Sequence, residues 1–175
     1  RFCYTDVPYR IRPYSEVVRD PRDTIEYDRY RAEDIVHRVQ ELGNDGTLVV
    51  DRTADGPGAI HYVNLAEKLV VPALAKLSNF VVDGGIWLNT QRPEWNDANN
   101  ALVGNGLSMV TVCYLRRYLQ FLLKVLRQSD AVRIAFTTEV EQWFRRVHEI
   151  LIANRHDLPA GGMDDHRRRE LPDQL

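Results

Sequence analysis

At 175 residues, 44% hydrophobic and 27% charged, the chain has the composition of a soluble globular protein, which excludes the disordered and membrane classes. A formal net charge of −2 excludes nucleic acid as the main partner, since phosphate binding needs a concentrated basic surface. No apolar run approaches the roughly 20 residues of a membrane span, and the opening Arg1-Phe2-Cys3-Tyr4 lacks a signal-peptide pattern.

Residues 1–31 mix aromatics, charges and the prolines Pro8, Pro13 and Pro21 without a sustained period, and are expected to be irregular. Because the chain opens on Arg1 and not on methionine, it reads as processed, tagged or excerpted from a longer polypeptide. Cys3 and Cys113 form neither a disulfide framework nor a metal-ligand spacing, so they read as two free thiols, Cys113 inside a helix. The compartment is not legible, with the cytoplasm slightly favoured.

From Ala32 a helical period places Ala32, Ile35, Val36, Val39 and Leu42 on one face, and Gly43 supplies a stop. Leu48-Val49-Val50 is a short β-prone run before the turn-rich Asp55-Gly56-Pro57-Gly58. Asn64 is a natural cap for a helix carrying Leu65, Ala66, Leu69 and Val70, which Pro72 is expected to kink or restart. The period resumes through Leu74, Leu77 and Phe80 until Gly84-Gly85 breaks it. An irregular stretch from Ile86 to Gly106 follows, long enough for a compact domain to mark it as functional.

The longest predicted helix, Leu107 to Gln128, is apolar over most of its circumference and therefore needs neighbours on more than one side. The last is predicted to start at a capping box, Thr138 with Glu141, and carries the stripe Val140, Trp143, Phe144, Val147, Ile150 and Leu151. These two helices are expected to pack antiparallel. Residues 154–175 are polar and arginine-rich, a tail draped on a surface or mobile. The fold expected is all-α: residues 1–31 irregular, 32–153 helical and 154–175 a polar tail.

The chemistry is concentrated in Glu94-Trp95-Asn96-Asp97-Ala98-Asn99-Asn100, just before the long helix. A tryptophan face stacks on the apolar face of a pyranose, and amides and carboxylates exchange hydrogen bonds with its hydroxyls. A carboxyl group against an aromatic ring can have its pKa raised enough to protonate a leaving oxygen. On composition alone, a polar loop with Asx-turns explains the same residues.

Trp95-Asn96-Asp97, then Asn100, Val103-Gly104 and Gly106 before a long apolar helix, resemble the Gly-Asp-Trp-Asn-Asp-Gly-Met-Asn signature of glycoside phosphorylases. These are the cellobiose phosphorylase type and their relatives in cyclic glucan synthases. Glu94 stands where that family has aspartate, Ala98 stands for its small Gly or Cys, and Gly106-Leu107-Ser108 for its Gly-Glu-Ser. The resemblance implies a partial (α/α)6 toroid whose remainder lies outside this sequence. It also implies an inverting cleavage of a glycosidic bond with Asp97 as general acid. Glu94, Trp95, Asn96 and Asn100 would then bind the sugar. An inverting mechanism needs a second group opposite the acid, either a base with water or inorganic phosphate. No cofactor or metal is implied. The alternative is a non-catalytic helical accessory or sugar-binding module.

Elsewhere the bland readings prevail. His61 reads as surface or cap and His148 as solvated. His156 and His166 with Asp157, Asp164 and Asp165 match no metal motif. Arg167-Arg168-Arg169 reads as solvated, Asp51 and Asp55 as turn residues, and Tyr62 and Trp87 as core.

Overall fold

The computed structural model describes residues 2–4, 8–18, 20, 23–42, 50–51, 59–88, 104–130, 133–156 and 163–175. Among these the protein is mostly helical: α1 Tyr14–Val17, α2 Arg29–Leu42, α3 Leu65–Leu77, α4 Met109–Arg127, α5 Thr138–Ala153 and α6 Asp165–Gln174. The all-α expectation needs correction, because short antiparallel strands tie the helices together. β1 (Phe2–Cys3) pairs with β6 (Tyr62–Val63), β2 (Tyr9–Ile11) with β3 (Ile25–Tyr27), and β4 (Val50–Asp51) with β5 (Ala59–Ile60). β7 (Phe80–Val81), β8 (Gly85–Trp87) and β9 (Leu107–Ser108) form a three-stranded sheet in that order.

The N-terminal segment is therefore not irregular throughout. Tyr9 opposes Tyr27 and Ile11 opposes Ile25, cross-strand pairs of the kind that stabilise a sheet, with Arg10 and Glu26 at 2.7 Å between them. Strands of three residues are too short for a period of two to show in the sequence.

α3 is the centre of the molecule. Asn64 caps it by accepting from the Glu67 amide at 2.9 Å. It then runs through Pro72 without a break. The proline is exposed while Val70, Ala73 and Leu74 around it are buried, so tertiary packing offsets the missing backbone donor. Val70 and Leu74 pack with Val140 and Val147 of α5; Ala73 packs with Ile86 of β8 and Leu115 of α4. α4 and α5 thus both find their core partner in α3, and the expected α4–α5 pairing is not where the core lies.

α4 starts at Met109, two residues later than predicted, because Leu107 and Ser108 pair with Trp87 and Ile86. Ser108 then caps the helix, accepting from the Thr111 amide at 3.2 Å. The capping box of α5 is also corrected. Its cap is Thr137, whose hydroxyl makes no cap bond, and Glu141 pairs with Arg145 at 2.6 Å.

The polar tail carries an ordered helix. Asp164 accepts from the Arg167 amide at 2.8 Å, which starts α6. Met163 and Leu171 (1% exposed) reach the cluster of Val82 and Ile150. Two or three apolar anchors in a strongly polar stretch are enough for docking and too few to read as a period. Among the described residues, no helix is long and apolar enough to cross a membrane.

The β7–β8 turn depends on backbone conformation: Asp83 has φ 59° and Gly85 φ 140°. A Cβ on Gly85 would also lie 2.9 Å from the Ser108 carbonyl group, which is backbone and cannot yield. Gly85→Ala is therefore expected to cost about 2–3 kcal/mol in chemical denaturation. Gly84→Ala meets side chains, the flexible Leu107 Cδ1 at 2.5 Å and Val81 Cγ1 at 3.3 Å, and should cost less, about 1 kcal/mol. Equal costs for the two would refute the β8–β9 contact as the cause.

Candidate functional site

Glu94, Trp95, Asn96, Asp97 and Asn100 lie outside the described residues. What is described is the root of the segment that carries them. The Leu88 amide donates to the Gly106 carbonyl at 3.0 Å, and the Gly104 amide to the Leu88 carbonyl at 2.7 Å. Trp87 Nε1 donates to the Gly104 carbonyl at 3.2 Å. Ile86 and Trp87 face Ser108 and Leu107 across the strand pair. The two ends of segment 89–103 are thus held side by side, immediately before the N-terminus of α4. Gly104, at φ 74°, adopts the left-handed conformation that closes this root.

Beside the root is a cleft of about 380 Å³, whose lining includes Tyr14, Trp87, Gly104, Arg168, Arg169 and Asp173. Three elements far apart in the chain build it: α1, the root and α6. The Tyr14 hydroxyl donates to the Asp173 carboxylate, 159 positions away. Arg168 is held by Asp165 at 2.6 Å and Asp83 at 3.4 Å and donates to the Met163 carbonyl at 2.9 Å. Arg168 is therefore a tie between α6 and the β7–β8 turn, where the sequence suggested only a solvated cluster. Aromatic rings, a carboxylate and guanidinium groups around one cleft can bind a hydroxyl-rich or anionic ligand. No local motif links Tyr14 to Asp173, so sequence reasoning had no signal for them.

Burial pushes Tyr14 up to about 12, helped by the hydrogen bond to Asp173 and its charge, with Arg169 opposing. Tyr4 is likewise pushed up to about 12 by burial and then by the charge of Glu67. The folded state holds both phenol protons more tightly than the unfolded chain does. The stability they contribute is intact below pH 10 and is lost as pH rises toward 12. A spectrophotometric titration of the native protein should show late-ionising tyrosines, and Tyr14→Phe should remove one of them. An unchanged high-pH titration in Tyr14→Phe would sink the assignment.

A second carboxylate of interest is Glu67, only 1% exposed. It accepts from the Thr137 amide at 2.8 Å, the Thr137 hydroxyl at 3.1 Å and the Tyr4 hydroxyl at 3.1 Å. Buried and engaged by three donors, Glu67 is a structural hub joining β1, α3 and α5.

His148 is exposed and stacks on Phe144, and His166 Nδ1 lies 3.2 Å from Glu170. Among the described residues no group of three or more His, Cys, Asp or Glu could hold a metal ion. Tyr62 is exposed, against the expectation of a core residue, because its two-residue strand turns it outward. Trp87 is half-buried and tied to Gly104, as a structural ring would be. Cys113 is free and exposed within α4; the Cys3 side chain and Asp55 lie outside the described residues, as does the side chain of Asp51. No known protein-family model matches the chain, and no curated protein matches it.

Proposed function

We propose that this chain carries the acid-bearing part of a carbohydrate-active enzyme that cleaves a glycosidic bond with inversion, Asp97 acting as general acid. The observation that supports this reading is the closed root at Leu88, Gly104 and Gly106, which brings together the two ends of the stretch containing Glu94–Asp97 just before the longest helix. A site anchored on strand and helix ends is held more precisely than one on a free loop. Trp95 would stack on the sugar ring, Glu94, Asn96 and Asn100 would bind its hydroxyls, and water or inorganic phosphate would attack from the opposite face. The apolar exposure of α4 supports the further reading of a partial (α/α)6 toroid, since such a helix calls for cover from helices outside this chain. The same exposure also favours the second reading, an accessory module that keeps the loop for sugar binding.

The test is to incubate the polypeptide carrying the complete toroid with a gluco-oligosaccharide, with and without phosphate. The configuration of the first-formed product is followed by NMR. Inverted reducing sugar, or inverted sugar 1-phosphate, is expected. A retained product would overturn the mechanism, and sugar binding without turnover would favour the accessory module.

A further inference from the structure

α4 leaves a continuous apolar stripe in solvent. Val110 is 66% exposed, Tyr114 64%, Phe121 56% and Val125 41%. Their spacing places them along one side of the helix, next to the side that Leu115 and Leu122 bury. At Val125 the stripe runs into a groove of about 740 Å³ where α3, α4 and α5 converge, walled by Leu65, Leu69, Leu126 and Phe144. Such a continuous apolar surface is characteristic of a covered one.

The charges around it have one sign. α4 contains no aspartate or glutamate in its 19 residues, yet it carries Arg116, Arg117, Lys124 and Arg127. Arg117 and Lys124 border the stripe, and Arg133 is the single charged residue lining the groove among the described residues. None of these five cations forms an ion pair with a described residue, although Arg117 rests over the Tyr114 ring at 6.0 Å. α4 itself carries no carboxylate to offset Arg117 and Lys124 at the edge of the stripe.

We propose that this face seats an amphipathic helix supplied from outside this chain, apolar along its contact stripe and carrying carboxylates along its edges. The stripe supplies the buried contact, and the cation border supplies the register and the selection. A second copy of α4 is the wrong partner, because pairing the two faces would oppose arginine and lysine to one another. The inference is independent of the chemistry assigned to Asp97, since it concerns only α4 and the groove.

The full chain is titrated with two labelled helical peptides sharing one leucine stripe, one with glutamate edges and one with lysine edges, by fluorescence anisotropy. The glutamate-edged peptide should bind at least about tenfold more tightly, an advantage that shrinks with salt. Arg117→Glu/Lys124→Glu should reverse the preference, while Phe121→Asp should abolish binding of both. All three positions are exposed, and circular dichroism confirms that the variants fold. Equal binding of both peptides, or of neither, overturns the proposal. So does a dimer in sedimentation that Phe121→Asp dissolves, which would assign the face to a second copy. Phe121-dependent capture by anionic phospholipid vesicles, without peptide preference, would assign it to a membrane surface.

Discussion

Glu67→Ala is expected to destabilise the protein by about 3 kcal/mol, with the thermal midpoint falling by roughly 6–12 °C. The carboxylate serves three donors at once: the Thr137 amide, the Thr137 hydroxyl and the Tyr4 hydroxyl. Hydrogen bonds to a charged group are worth more than neutral ones, and their removal here leaves donors in a site closed to water. Glu67 also sits in the first turn of α3 and at the N-cap of α5, so one negative charge faces the positive ends of two helices. Glu67→Gln keeps an acceptor but loses the charge and adds donors where donors already point. It should fall between the wild type and alanine. Tyr4→Phe, which removes one donor and leaves the carboxylate its other two, should cost about 1 kcal/mol. Chemical denaturation of the three variants checks the order. A cost below about 1 kcal/mol for Glu67→Ala would show that solvent replaces the lost carboxylate and that α3 and α5 are joined by apolar packing alone.

The second large effect is expected in turnover. On the proposed reading, in the polypeptide that would complete the toroid, Asp97→Asn should lower kcat on an unactivated glycoside by at least about 100-fold while leaving sugar affinity nearly unchanged. Asparagine preserves shape and hydrogen bonding but cannot deliver a proton to the leaving oxygen. An activated glycoside, whose leaving group departs without protonation, should be nearly indifferent to the substitution. Equal losses on both substrates would make Asp97 a structural residue. For Asp97 to deliver a proton it must stay protonated against the solvation that favours its ionised form. Apolar contact with Trp95 and the like charge of Glu94 are the opposing influences the sequence offers.

The helices were legible where packing repeats a period. Val140, Val147 and Ile150 announce α5, and Asn64 announces the start of α3 through its cap. One local rule failed because tertiary structure outweighed it, and Pro72 does not restart α3, which continues through it between buried neighbours. Thr138 and Glu141 do not form a capping box, since Glu67, some 70 positions earlier, already occupies the Thr137 amide and hydroxyl. The strands were hidden by their length of two or three residues. The centrality of α3 was hidden too, because a periodic stripe says that a helix packs without saying on which neighbour. At the candidate site, the reading of Glu94–Asp97 rests on residue types and resemblance alone, since these residues lie outside the described ones. The Tyr14–Asp173 pairing was not legible, because it joins the two extremes of the chain.

The root at Leu88 and Gly104 has a consequence for how such a protein can change over time. Two of its three bonds are made by main-chain atoms alone, and the third needs only the Trp87 indole and a carbonyl oxygen. None draws on a side chain between positions 89 and 103. Substitutions between positions 89 and 103 leave the donors and acceptors of these three bonds in place, so the composition of those fifteen consecutive positions can drift without removing any of them.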